Sequence, residues 1–205
     1  ALMALNRLEI RPADLDAVVI SHHHGDHFLG LPFLLLEWKH KGRAKPARVI
    51  CPPGAEAIAR RVCEPTYPGL FAGALPVEWI EIGAGEAAEA GAARIEAVAV
   101  QHDRRLSLSL GFHVTANDRL LGYTGDSGLC EGVFELGRRA DVLVSECASR
   151  DDHLPVHMNL VDDMPKLRAA MPADAHLVLT HLGPGVDAAG LPNTHVARDF
   201  ETLRF

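Results

Sequence analysis

The sequence predicts an α/β protein whose sheets carry helices on their outer faces. Three observations lead there: strand and helix patterns alternate at both ends of the chain, strand patterns follow one another in its middle, and no repeat, low-complexity tract or linker divides it. With 205 residues, 48% of them hydrophobic, the chain can bury a core as one globular domain, residues 1–205.

The elements follow in order. Residues 1–10 (ALMALNRLEI) read as a short amphipathic helix rather than a signal peptide. AVVI (17–20) is an apolar run of the kind that forms a buried strand, and Gly25 breaks the chain before LGLPFLLLEWKHK, a helix whose LPFLLLEW stretch belongs to the core. RVICPP (48–53) reads as a strand and GAEAIARRVCE (54–64) as a helix. Beyond a stretch rich in Pro and Gly come four strand patterns, PVEWIEI (76–82), RIEAVAVQH (94–102), LSLGFHVT (108–115) and RLLGYTGD (119–126), the last two joined by a turn at Asn117-Asp118. The C-terminal third alternates again, with ADVLVSE (140–146) as strand, NLVDDMPKLRAAM (159–171) as helix and AHLVLTH (175–181) as strand. Residues 64–76 and 183–195 have the Gly and Pro content of substrate-facing loops.

Charge and composition narrow the function. The net charge is −7, and basic residues are scattered except at Lys39, Lys41, Arg43 and Lys45. Binding a long nucleic acid requires a basic face to neutralise phosphates, so a small-molecule substrate is expected instead. The absence of a long apolar run argues against a membrane span, and the expected location is the cytoplasm. A homodimer is compatible with this composition. Cys51, Cys63, Cys130 and Cys147 lie far apart with no CxxC spacing and read as structural thiols.

The compositional excess is histidine, with 12 residues. In SHHHGDHF (21–28), His22, His24, Asp26 and His27 follow the first strand; His102, Asp126 and His181 each end a later one. Ligands of open sheets gather beyond strand ends, so seven residues far apart in sequence are expected to converge. A single histidine at a strand end, His102 for example, reads as a surface or satisfied core residue, and the HxHxDH loop alone could be a solvated helix start. The whole set instead fits two divalent ions. Imidazole and carboxylate suit zinc, with manganese or iron as alternatives. His22, His24 and His102 would hold one ion, and Asp26, His27 and His181 the other. Asp126 would bridge them, and the ions would share a hydroxide as nucleophile.

HHHGDH, followed by His102, by YTGDSG around Asp126 and by LTHLGP around His181, resembles the metallo-β-lactamase fold superfamily, and most closely its ribonuclease Z-like phosphodiesterase branch. The resemblance covers nearly the whole chain. It implies a four-layer αβ/βα sandwich and two zinc ions. Relatives carry several strands ahead of the one leading into HxHxDH, so the chain is expected to lack an N-terminal segment, which would leave a sheet edge unpaired. They also carry a long basic arm between the third histidine and the bridging aspartate. Here 23 residues forming a hairpin separate His102 from Asp126, which argues against processing of transfer RNA.

VSECAS (144–149) and the later His157 resemble the branch's proton-delivery pattern, with Glu146 on its glutamate, His157 on its later histidine and Ser145 in place of the pair's own histidine. A carboxylate that orients an imidazole makes a workable general acid near neutral pH. Asp26, His157 and Glu146 are therefore the candidate catalytic residues, although Glu146 could equally tie down a strand end. Arg104 and Arg105 could clamp a phosphate or simply charge a hairpin edge. His23 is expected beside the ligands or in solvent, and His40, His113, His153, His176 and His195 to be structural.

The expected activity is that of a dinuclear metal-dependent phosphodiesterase acting on a small or cyclic nucleotide-like substrate. The rivals are hydrolysis of a lactone, thioester or β-lactam, an iron-dependent oxidoreductase of the same fold, and a non-catalytic metal-binding module.

Overall fold

The computed structural model describes residues 1–73, 76–187 and 190–205. The chain divides into two compact units, Ala1–Ile82 and Gly83–Phe205.

In the first unit, helix α1 (Leu2–Arg7) and a single 3-10 turn (Pro12–Asp14) lead into β1 (Ala17–Val19), α2 (Gly25–Phe28), α3 (Leu31–His40), β2 (Ala47–Cys51), α4 (Ala55–Thr66) and β3 (Val77–Glu81). The three strands lie in the order β1-β2-β3 and are all parallel, with Val18 opposite Val49 and Val49 opposite Trp79. Parallel strands need helical crossovers, which α3 and α4 supply. Their apolar faces meet the sheet in a core of Ile20, Phe28, Leu34, Leu35, Trp38, Val49, Ala59 and Cys63. The buried Trp38 donates its indole N–H to the Pro12 carbonyl at 2.8 Å, while the Arg43 guanidinium lies 4.4 Å from its ring centre and donates to the Ala13 carbonyl at 2.8 Å. Two residues of the basic run are therefore occupied in holding this unit together or in ion pairs, since Lys45 also meets Asp16 at 2.9 Å.

The second unit contains β4 (Ala87–Ala90), β5 (Ala93–Ala99), β6 (Leu110–Ala116), β7 (Arg119–Tyr123), α5 (Glu131–Arg139), β8 (Val142–Cys147), α6 (Asp163–Ala170), β9 (His176–Leu182) and β10 (Thr194–Val196). Its sheet runs β10-β9-β8-β7-β6-β5-β4, antiparallel from β4 to β7 and parallel from β7 to β10. Because β6 is antiparallel to both neighbours, β5, β7, β8 and β9 all point the same way, and their carboxyl ends share one edge. Val133 and Leu136 of α5 and Met164 and Leu167 of α6 pack with Leu143, Leu177 and Leu179 in the core.

The expected α/β class and strand–helix order are present, with three additions. β4 is built from Ala87–Ala90, a run with no β-branched or aromatic residue, and so carries no strand signal. α5 is nine residues long and contains two glycines, Gly132 and Gly137, which weakens its helical signature. β10 occupies the end of the stretch 183–195 expected as loop, while α4 extends to Thr66 into the stretch expected from 64. Ala74, Leu75, Ala188 and Ala189 of those two stretches lie outside the described residues. Among the described residues no helix is long and apolar enough to cross a membrane. All four cysteines are free thiols, and burial pushes Cys51 and Cys147 up to about 12, as expected of structural rather than reactive groups.

Candidate metal centre

In the first unit the chain leaves the sheet just after β1, where the Ile20 N–H still reaches the Ile50 carbonyl at 2.9 Å. His22 to His24 run extended until α2 begins with His24 as its N-cap. This places four donors within six residues. The His22 ring is fully buried, 4.8 Å from the His24 ring and 4.3 Å from that of His27, and the Asp26 carboxylate lies 3.3 Å from His27 Nε2. His22 Nδ1 is 3.1 Å from the Ser21 hydroxyl, which fixes the ring and leaves Nε2 as the atom that could ligate a metal. The intervening His23 turns to Phe28, edge to face at 5.6 Å, and burial lowers its pKa. It is half-buried rather than solvated, with Nε2 meeting no hydrogen-bond partner among the described residues.

In the second unit the donors stand on the edge shared by the carboxyl ends of β5, β7, β8 and β9. His102 follows β5 and is 5% exposed; its Nδ1 lies 2.9 Å from the Val156 carbonyl, a bond that leaves Nε2 for coordination. Asp126 follows β7 and is 4% exposed. His181 reaches the same place by a bulge. Glu146 is opposite Thr180 and Cys147 is opposite Leu182, so His181 has no partner residue in β8 and adopts a left-handed φ of 50°. A bulge next to a site re-aims one side chain, and a left-handed histidine there stores strain that the surroundings must hold. Here the imidazole Nε2 comes 3.4 Å from Asp126 Oδ2. Gly183 makes the close approach workable, because a Cβ at that position would stand 2.1 Å from the Ala148 carbonyl oxygen.

His157 completes this half. Its ring stacks on that of His181 at 5.4 Å and 13°, and meets that of His102 edge-on at 5.0 Å. One ligand atom from each of His102, Asp126 and His157 lies within 4.8 Å of the others, and the same holds for Glu146, His157 and His181. Glu146 is buried and accepts four bonds: Ser127 N–H at 2.8 Å, Met158 N–H and Ala148 N–H at 3.2 Å each, and His157 Nδ1 at 2.7 Å. Burial pushes its carboxyl up to about 8, opposed by the Ser127 and Met158 N–H groups and reinforced by the Asp126 charge. Glu146 thus does more than tie down a strand end. Ser145, the other residue of the pattern, is fully buried and donates to the Glu146 carbonyl.

The remaining predicted residues divide. Arg105 is held by Asp103 in a bidentate pair, a charged turn, and Arg104 beside it is exposed. His195 pairs with Glu201, His153 lies near Asp162, His176 packs on Phe205 and His113 is buried against the Leu136 carbonyl. Four contributors carry no sequence signal: the Val156 carbonyl and the N–H groups of Ser127, Ala148 and Met158 belong to the backbone and are found only once the chain is folded.

The donor chemistry fits a divalent cation. Buried imidazoles have Nδ1 tied to a protein oxygen and Nε2 as the ligating atom, the arrangement that metal-bound histidines adopt.

Known proteins place the chain in a family. The family model described as Beta-lactamase superfamily domain matches residues 2–182. Ribonuclease BN of Escherichia coli (strain 536) is 25% identical, with 92% of this chain and 81% of that protein covered. The alignment spans 251 positions, more than this whole chain, so the relative carries segments inside the matched region that are missing here. Among solved structures, the human tRNase Z short form has a TM-score of 0.75 at 20% identity, covering 98% of this chain and 83% of that one. The metallo-β-lactamase fold protein YhfI of Bacillus subtilis has a TM-score of 0.72 at 21% identity, covering 92% and 77%. The chain belongs to the β-lactamase superfamily and has the metallo-β-lactamase fold of its metal-dependent hydrolases.

Proposed function

We propose that the chain is a dinuclear metal-dependent phosphodiesterase for a small or cyclic nucleotide-like substrate. His22, His24 and His102 would hold one ion and Asp26, His27 and His181 the other, with Asp126 as a ligand to both. Two divalent ions, zinc in the first instance, would supply a nucleophile from water at neutral pH and offset charge on the phosphoryl oxygens.

The protein's own contribution is proton delivery. The leaving oxygen of a phosphodiester departs as an alkoxide unless it receives a proton, and His157 is the group placed to give one. Glu146 is a positioning residue. Its contact with Nδ1 fixes the ring and leaves Nε2 as the edge that meets the leaving oxygen. The single observation that carries this reading is the contact of 2.7 Å between the buried Glu146 carboxyl and His157 Nδ1, beside the rings of His102 and His181. The relatives named as ribonucleases support a phosphodiester as the bond broken. A small substrate accords with the net charge of −7 and with the short His102 to Asp126 connection, built around the hairpin of β6 and β7.

Bis(p-nitrophenyl) phosphate assayed with zinc or manganese tests the reading. Turnover that is lost in Asp126→Ala supports it, and absence of turnover above that variant with either metal removes it. A lactone and thioester panel run alongside tests the carbonyl rival, and metal content tests the iron-dependent one.

A further inference from the structure

The turn between β7 and α5 is held by two hydroxyls, one on each side of Asp126. Thr124, just past β7, is fully buried; its Oγ1 accepts from the Glu146 N–H at 3.1 Å and donates to the Gly125 carbonyl at 2.8 Å. Ser127 is fully buried too; its Oγ accepts from the Gln101 N–H at 3.1 Å and gives its one proton to the Gly128 carbonyl at 2.6 Å.

The Ser127 hydroxyl thereby reaches the chain that carries His102. Gln101 precedes His102, and the Gly128 N–H returns to the Gln101 carbonyl at 2.8 Å. One backbone bond and one side-chain bond therefore join the two segments, which meet as an isolated antiparallel bridge. Gly128 in turn lies against Pro155, since a Cβ there would stand 2.7 Å from the Pro155 carbonyl oxygen. The following carbonyl, that of Val156, lies 2.9 Å from His102 Nδ1. His102 is thus fixed twice, through its backbone by Ser127 and through its ring by the segment that Gly128 touches, while Asp126 is the residue next to Ser127. One ligand atom of His102 and one of Asp126 come within 4.8 Å of each other. Metal–ligand bonds tolerate errors of only about 0.2 Å, so two ligands carried by separate strands need something that sets their spacing.

We propose that Ser127 is a positioning residue whose hydroxyl sets this spacing, so that His102 and Asp126 grip the same divalent ion. This rests on the metal-centre part of the reading above and is independent of the ester cleaved. The Ser127 N–H goes to Glu146 at 2.8 Å and an alanine keeps it, so Ser127→Ala removes the part of the hydroxyl alone. Coupling between two sites is reciprocal: a clamp that tightens the metal is itself tightened by the metal, and by the same factor.

Competition for zinc with a chelator, together with amide hydrogen exchange, tests it. Ser127→Ala is expected to raise the Kd for zinc by about tenfold, as loss of a group that orients a metal ligand does, whereas Leu167→Val, a change in the core at α6, should leave it within about twofold. In the wild-type protein, where folding is not at issue, zinc should slow exchange at the Gln101 and Gly128 amides by about the same factor. The slowing should exceed that at the Leu120 N–H, which is bonded to Asp141 at the start of β7. An unchanged Kd in Ser127→Ala, an equal loss in Leu167→Val, or zinc protection no greater at Gln101 and Gly128 than at Leu120 overturns the proposal. A wild-type chain that binds no zinc overturns the metal-centre reading and the proposal with it. Loss of affinity in Ser127→Ala, with no turnover of bis(p-nitrophenyl) phosphate by the wild type, supports the proposal and removes the phosphodiesterase reading alone.

Discussion

Replacing Glu146 by glutamine keeps the shape of the side chain and removes its capacity to accept four hydrogen bonds. The consequence can be worked atom by atom. Oε2 accepts from the Ala148 and Met158 N–H groups, and Oε1 from Ser127 N–H and His157 Nδ1. If the new amide nitrogen takes the Oε2 position it faces two backbone donors; if it takes the Oε1 position it can donate to His157 but meets Ser127 N–H at 2.8 Å. Either rotamer strands at least one buried donor, which costs about 1–3 kcal/mol. Urea unfolding of the metal-free chain should show this as a lower midpoint. The cost should also depend on pH. Burial raises the folded carboxyl from its ordinary 4.5 to about 8, so between those values the folded chain keeps a proton that the unfolded chain releases. That stabilising contribution is complete below 4.5 and is lost as pH rises through 8, so the gap between wild type and Glu146→Gln should narrow across this window. A variant within about 0.5 kcal/mol of wild type at pH 5, with the same pH slope, would refute the reasoning.

Three further outcomes follow from the same geometry. Zinc at a hundredfold excess over its Kd should stabilise the chain by about 2.7 kcal/mol, and His102→Ala should reduce the shift; thermal melts with and without chelator check this, and equal melts would remove the metal centre. His113 is fully buried and burial lowers its pKa, so the unfolded chain takes up the proton first. Wild type should therefore lose stability relative to His113→Leu as pH drops below about 6.5, read as the difference between their urea midpoints at pH 7 and pH 5. Gly183→Ala would place a Cβ 2.1 Å from one backbone atom and 2.8 Å from another at Ala148, so the chain must shift, costing about 1–3 kcal/mol and carrying His181 with it; loss of both stability and activity is expected, and an unchanged denaturation midpoint would contradict the close approach.

Much of the fold was legible because several of its parallel strands appear as apolar runs. AVVI, RVIC and VLVSE are such runs, and all lie in parallel pairings. The turn at Asn117-Asp118 was legible for a different reason: both residues adopt left-handed φ, 50° and 58°, which Asn and Asp tolerate. β4 was hidden because pairing, not composition, makes it a strand, and β10 because three residues are too few to show a pattern. In the site, the donors were legible from their place at strand ends. The device that turns His181 was not, since a bulge is a mismatch between two strands and neither sequence contains it alone. The hydrogen bonds that orient His102 and Glu146 were hidden too, because their partners are backbone groups.

The place of Ser145 can be settled on the same strand geometry. Successive side chains of a strand point to opposite faces, so residues 145 and 146 of β8 are directed apart. The Ser145 hydroxyl accordingly turns to the Glu146 backbone carbonyl at 3.0 Å and has no part in the carboxylate's bonds to His157, Ser127, Ala148 and Met158. A histidine at 145 would leave from the far side of the strand and could not take over what His157 does. Serine at this position therefore leaves the Glu146–His157 pair complete, and the proposed proton delivery would rest on His157. His157→Ala should consequently lower the rate, whereas Ser145→Ala should change it by no more than about twofold, a difference of about 0.4 kcal/mol in the barrier. A larger loss in Ser145→Ala with stability intact would show that β8 contributes to proton delivery through both of its faces.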